Sequence, residues 1–556
     1  MRIFHSCLAM ASLSLLATAS QAKVTPAAWV ASGMVLQRGQ VVTLSGTADP
    51  GESFTASFIG KRPAADNGKS VKQQFSATAD ANGAWSLPLP AMRPGGPYEL
   101  QLADLTLSDI LIGDVYLCSG QSNMELPVCR VMDRYAQEIN ANDDNNIRLL
   151  KVKTSTAFTG PAPDVQTDGW KHLNKANAYE FSAIGYFFAR EMQAATNIPI
   201  GIIESAVGGS PIEAWISREE LQSRGANSIL AKADMNADPD YRATVEQYSK
   251  VTGDRWELLL AQKEAALAQD WKAESYDDSA WQTVDALSDA WTKDATRPLN
   301  GAHWFRKSIT ITDAQAAQPA TLRLGMLIDA DEVWVNGRKV GQTYYQYPPR
   351  IYDIPQGTLH AGNNTIAIRL TSQNGQPRFV ADMYRGIFFG SNRWLCGDHA
   401  DKLDLDNNWR HLYAAAMPQK GGVEPFIYTP TALYNAMIAP LKGIALTGAL
   451  WYQGESNVGR DVEYRDLLNG LFANWRTLFQ KPDLNFIVIG LADFEKPVTT
   501  WWRALQKAQQ EVAEADPHAA FAPAADLGVW YDVHPLDKKT VAVRAARAMK
   551  KLINIK

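Results

Sequence analysis

An apolar, β-prone run, Gly113-Asp114-Val115-Tyr116-Leu117-Cys118, breaks off into Ser119-Gly120-Gln121-Ser122-Asn123-Met124. A buried parallel strand delivers a side chain to the rim of an α/β sheet in this way, and open sheets bind ligands at that rim. Two further stretches repeat the pattern. Ile200-Gly201-Ile202-Ile203 runs into Glu204-Ser205-Ala206-Val207-Gly208-Gly209-Ser210-Pro211, and Gly443 to Trp451 runs into Tyr452-Gln453-Gly454-Glu455-Ser456-Asn457. Between them, Phe181, Ile184, Phe188 and Met192 recur at helical spacing. Asn485 to Leu491 reads as another strand, Trp501 to Ala515 as a helix, and a closing helix is expected from about Asp537 to Leu552. The alternation predicts an α/β domain with a mostly parallel sheet.

At 556 residues the chain is too long for one core, and three or four units are expected. Strands with turn signals at close spacing predict a small β-sandwich over 23–108, read as a packing or spacer module. A second β-rich block, including Phe305 to Thr312, Leu322 to Leu324 and Val333 to Arg338, interrupts the α/β pattern. The expected division is therefore a signal peptide at 1–22, a leading β-sandwich at 23–108, an α/β domain in two parts at 109–255 and 386–556, and an inserted β-sandwich at 256–385. Trp271, Trp281, Trp291, Trp304 and Trp334 of the insert are read as core residues rather than a sugar-stacking surface.

Arg2, the apolar or small residues of Cys7 to Ala19, and Ser20-Gln21-Ala22 have the form of an export signal. An exported protein, periplasmic or extracellular and without a membrane span, is expected. Of Cys118, Cys129 and Cys396, one must stay unpaired within a monomer; Cys118 and Cys129 either bridge or remain thiols. The formal net charge of −5 is slight and gives no support for a nucleic-acid partner.

Ser122 is a nucleophile only if a base, an acid that orients it, and oxyanion donors come from elsewhere. Among eight histidines, His534 stands apart because Asp532 lies two residues before it, just past an apolar segment. If the segment is extended, both side chains project from one side. Gly208 and Gly209 either open the backbone to a ligand or serve only a tight strand-to-helix turn.

The blocks Gly120-Gln121-Ser122-Asn123, Val207-Gly208-Gly209-Ser210 with Glu213-Ala214-Trp215, Tyr434-Asn435-Ala436-Met437-Ile438, Trp451 to Asn457, and Asp532-Val533-His534-Pro535 occur in this order. Together they resemble the sialate O-acetylesterase family of carbohydrate esterases, within the SGNH hydrolases. The resemblance implies a three-layer α/β/α domain, a leading β-sandwich, and an inserted β-sandwich of the jelly-roll, galactose-binding-like kind. It implies that Ser122 attacks an acetyl carbonyl, that His534 is general base and then acid, and that Asp532 orients His534. The N–H groups of Ser122 and Gly209 and the amide of Gln453 would hold the oxyanion, with Asn435 and Asn457 as alternative amides. Gln121, Asn123, Gly208, Asn435 and Glu455 would contact or support the substrate. For Glu455 a loop-holding carboxylate is the favoured role, and Asp526 or Glu455 is the substitute should Asp532 not be the acid. No metal or organic cofactor is called for.

The implied function is a secreted serine esterase removing acetyl groups from an acetylated oligosaccharide or polysaccharide. The lean is toward hemicellulose, xylan or xyloglucan, because no basic cluster for a sialate carboxylate is obvious; O-acetylated sialic acid is the alternative. A glycoside hydrolase using Glu204 and Glu455 and a non-catalytic carbohydrate-binding protein are the competing classes.

Overall fold

The computed structural model describes residues 24–61, 70–141, 143–284, 299–374, 376–380, 385–390, 401–530 and 532–555. The expected export signal, Trp291, Cys396 and His399 lie outside these residues.

Six strands pair in parallel in the order Asp144–Val152, Ile200–Ala206, Leu105–Gly120, Gly448–Tyr452, Asn485–Ile489, Ala519–Ala522. Thr167–Leu173 adds an antiparallel edge. Successive side chains of a strand point to opposite faces, and the central strand divides accordingly. Val115 and Leu117 pack with Trp451, Phe486 and Val488, while Tyr116 and Cys118 pack with Phe188, Leu450 and Ile487. The first face is covered by the helices Asp461–Leu478 and Thr500–Ala515, the second by Ala183–Thr196 and Lys538–Leu552. Burial on both faces explains why these strands read as continuous apolar runs instead of alternating ones.

The boundary expected at 108 falls inside one unbroken strand. The first half of Leu105–Gly120 pairs with Gly95–Leu102, which pairs with Ser53–Lys61, and the second half belongs to the parallel sheet. A small sheet of Thr25–Pro26, Val42–Thr47 and Ala84–Leu89 packs opposite, with the rings of Phe54 and Trp85 5.2 Å apart. The boundary at 255 likewise falls inside the helix Pro239–Ala265. Beyond 385, the strands Gly386–Phe389, Lys402–Asp404 and Trp409–Ala416 still pair with the antiparallel sheets of the β-rich block. Changes of strand and helix pattern marked these boundaries, but hydrogen bonding carries elements across them.

The β-rich block holds a six-stranded and a four-stranded sheet around an apolar core that includes Phe305, Leu322, Val333, Ile368 and Trp409. Trp271, Trp281, Trp304 and Trp334 are buried together, in keeping with their reading as core. Cys118 and Cys129 are both free thiols. No helix among the described residues is long and apolar enough to cross a membrane.

Candidate active site

Three parallel strands end level with one another, since Gly120 is in register with Ala206 on one side and Tyr452 on the other. The chain turns sharply at Gly120, where φ is +138° and a Cβ would lie 2.1 Å from the Tyr452 carbonyl oxygen, so only glycine fits. Ser122 then opens a single helical turn, Ser122–Glu125. Its Oγ lies 2.8 Å from His534 Nε2, 412 positions away in sequence.

His534 and Asp532 are both buried. One residue separates them, and the carboxylate reaches back to accept the His534 backbone N–H at 2.8 Å. The same oxygen stands 3.6 Å from Nδ1, and Nδ1 has no hydrogen-bond partner among the described residues. The short spacing thus makes Asp532 a clamp on the backbone as well as a charge beside the ring. Burial holds His534 below the ordinary histidine range; Asp532 opposes this, while Lys538 and Arg130 add to it. The imidazole is therefore a neutral base at neutral pH, beside a serine hydroxyl within hydrogen-bonding reach.

Gly209 has φ +75°, and a Cβ there would meet Tyr428 Oη at 2.3 Å. No acceptor among the described residues takes the N–H of Ser122 or of Gly209. That leaves both for an oxyanion. The neighbouring Gly208 N–H is already given to Glu125 Oε2 at 2.6 Å, and the Gly208 carbonyl accepts from Tyr428 Oη at 2.9 Å. Gly209→Ala keeps the N–H but, with its Cβ against Tyr428, is expected to displace it and lower turnover on the order of 10²-fold, as for an oxyanion donor taken out of place, with steady-state hydrolysis of an aryl acetate as the measurement. An unchanged rate would remove Gly209 from the site.

Gln453 does not fill the expected role. It is fully buried, and Nε2 donates to Asn457 Oδ1 at 2.7 Å and Ser210 O at 3.2 Å. It is not among the residues that line the cavity beside Ser122. Both alternative amides are also committed. Asn457 Nδ2 bonds Glu213 at 3.0 Å, and Asn435 Nδ2 bonds the Ala157 carbonyl at 3.0 Å. Gln121 stands on the cavity wall, its Oε1 accepting the N–H groups of Gly454 and Ser456 at 3.3 and 3.4 Å. Asn123 is buried behind the wall and bonded to Glu455 and to the Val533 carbonyl. Glu455 Oε1 thus joins its loop to the residue after Ser122 through the Asn123 amide. Asp526 does not line the cavity; it is exposed and paired with Arg544 at 2.6 Å.

The cavity beside Ser122 encloses about 700 Å³. Its wall includes residues that no strand-end pattern signals. Tyr345 and Tyr347 come from the β-rich block, and the Tyr347 ring meets His534 edge-on with centroids 4.8 Å apart. Arg130 donates to the Tyr347 carbonyl at 2.7 Å and so ties that loop to the α/β unit. Lys151 and Glu125 also line the wall. The one legible hint was the tyrosine-rich run Tyr344-Tyr345-Gln346-Tyr347 between two strands. Glu204, one of the two carboxylates a glycosidase would need, is buried off this wall, accepting Ser182 N–H at 2.8 Å.

A model of the family described as "carbohydrate esterase, sialic acid-specific acetylesterase" matches residues 112–293 and 419–551, over half of the chain. The chain belongs to that family. The two matched stretches contain all three strand ends and the Asp532–His534 segment. Sialate O-acetylesterases of Pongo abelii and Homo sapiens are each 30% identical to this family member over 216 residues, which is 36% of this chain and 40% of theirs. The match thus spans well under half the length of those relatives. A carbohydrate acetylesterase from Xanthomonas citri shares the fold at a TM-score of 0.53 and 23% identity, over 96% of this chain and 76% of that one.

Proposed function

We propose that this carbohydrate esterase removes O-acetyl groups from sugars by a serine mechanism. The observation that carries the reading is the 2.8 Å contact of Ser122 Oγ with His534 Nε2, within reach of two uncommitted backbone N–H groups. His534 takes the Ser122 proton as Oγ attacks the acetyl carbonyl, and Asp532 stabilises the imidazolium that forms. The oxyanion lies against the N–H groups of Ser122 and Gly209. His534 returns the proton to the departing sugar oxygen. Water, activated by the same base, then releases acetate and restores Ser122.

On this reading the α/β unit is SGNH-hydrolase-like, and the β-rich block, from about Gln282 to Ala416, is a jelly-roll insert of the galactose-binding kind. Its role is to complete the cavity wall through Tyr345 and Tyr347. The enzyme works outside the cytoplasm, where acetylated polymers are met.

For the sugar, hemicellulose such as xylan or xyloglucan is the leading reading, since Tyr345 and Tyr347 give the cavity wall aromatic rings of the kind that suit a neutral sugar backbone. Arg130 and Lys151 on the wall favour a second reading, an acidic sugar such as O-acetylated sialic acid. Acetate release from acetylated xylan, acetylated xyloglucan and O-acetyl sialic acid separates them. Preference for the polymers is expected; strict preference for the sialate would reverse the order, and release from none would end the esterase reading.

The pH profile carries its own prediction. The base works unprotonated, and burial holds His534 below 6.5. The rate constant kcat/KM is therefore expected to rise with pH along a limb centred below 6.5. A limb centred above that value would contradict a buried imidazole base.

A further inference from the structure

Behind Ser122, the side chain of Asn123 is 1% exposed and is gripped by three separate segments. Nδ2 donates to Glu455 Oε1 at 2.5 Å and to the Val533 carbonyl at 3.0 Å, while Oδ1 accepts from Lys538 Nζ. An ammonium group can only donate and a carbonyl oxygen can only accept, so Lys538 and the Val533 carbonyl together fix which way the amide faces. Val533 is the residue between Asp532 and His534. The residue after the nucleophile thus holds the peptide that joins the acid to the base, and Lys538 holds that residue. Lys538 is fully buried at the start of the closing helix, with its Nζ 5.6 Å from the centre of the Tyr452 ring. Burying an amine is costly, and the acyl-transfer chemistry itself has no use for one.

We infer that Lys538 is a positioning residue for ester hydrolysis. Its ammonium orients the Asn123 amide, the amide holds the Val533 carbonyl, and His534 is thereby kept against Ser122; its charge also favours the neutral form of His534. The inference rests on Ser122 and His534 being nucleophile and base.

The charged groups around the pair act in both directions. His534 faces Asp532, Lys538 and Arg130, with the Tyr347 ring on its edge. Lys538 faces Asp532, Glu455 and Asp537, which favour its charge, and Arg130, which does not. Burial is the largest influence on Lys538 and brings it down to about 7. His534 titrates below 6.5, where Lys538 is mainly protonated. Removing the cation therefore lets His534 bind its proton at higher pH.

The test uses the full chain with Lys538→Met and Lys538→Gln. Glutamine can still donate to Asn123 Oδ1 but carries no charge. The readouts are the His534 titration by NMR of histidine-labelled protein without substrate, and kcat and KM for a small aryl acetate. For Lys538→Met the His534 midpoint is expected to move to higher pH and kcat to fall on the order of 10–10²-fold, as for misplaced catalytic groups, with KM little changed. Lys538→Gln is expected to recover most of kcat and to keep the raised midpoint. A folded Lys538→Met protein with an unmoved midpoint, or a loss of kcat that Lys538→Gln does not recover, overturns the inference. Should the lysine variants not fold, Asn123→Ala is expected to lower kcat to a similar degree, and an undiminished kcat overturns it equally. The titration needs no substrate. A parent protein that turns over no acetyl ester would refute the Ser122 reading while leaving the Lys538–His534 coupling to be judged on its own.

Discussion

Ser122→Ala is expected to reduce hydrolysis of an acetylated sugar or aryl acetate on the order of 10⁴–10⁶-fold in kcat, with substrate affinity nearly preserved. The reason is chemical. On the proposed mechanism the acyl group is transferred to Oγ, and with that atom gone only the proposed oxyanion donors and the cavity would remain to assist water. The exchange is mild for the fold, because Oγ contacts His534 Nε2 across the cavity rim and Ser122 lines that cavity. Steady-state kinetics together with a thermal unfolding curve check this. Turnover within tenfold of the parent in a folded protein would sink the serine mechanism and return attention to a water nucleophile.

Asp532→Asn is expected to lower kcat about 10²–10⁴-fold. This substitution separates the two things Asp532 does. An asparagine carbonyl oxygen can still accept the His534 N–H that the carboxylate takes at 2.8 Å, so the loop keeps its shape. The negative charge 3.6 Å from Nδ1 is lost, and with it the stabilisation of the imidazolium that the proposed mechanism assigns to it. Asp532 raises the proton affinity of His534, so its neutralisation should shift the acid limb of kcat/KM to lower pH. Loss of the Lys538 cation should shift that limb the other way, and the opposed signs distinguish the two effects from general loosening. Asp526→Asn should leave kcat within about twofold, because that side chain is 61% exposed and already paired with Arg544. A large loss there, with Asp532→Asn active, would transfer the acid's role.

Much of the architecture was legible in local patterns. The central strands are buried on both faces, so Val115 to Cys118 and Ile200 to Ile203 read as unbroken apolar runs. Phe181, Ile184, Phe188 and Met192 turned out buried together at the helix covering them. Ser122 and His534 were legible because each follows an apolar segment at a place where side chains become polar. The boundary at 108 shows why composition misses such points. A strand such as Leu105–Gly120 can serve two sheets in succession, and nothing in its composition marks the point of exchange.

The sequence by itself determined the alternation of strands and helices, the three polar strand ends, and the candidate nucleophile and base, because each depends on the character of neighbouring residues. Only the tertiary structure decided which atoms meet. It brought Ser122 to His534 across 412 positions, bonded Gln453 to Asn457 off the cavity wall while leaving Gln121 on it, and set Tyr347 of the β-rich block against the imidazole. It also buried Lys538 behind the nucleophile. Side-chain direction at a strand end and the approach of a distant loop are settled by packing across layers, and packing has no local signature.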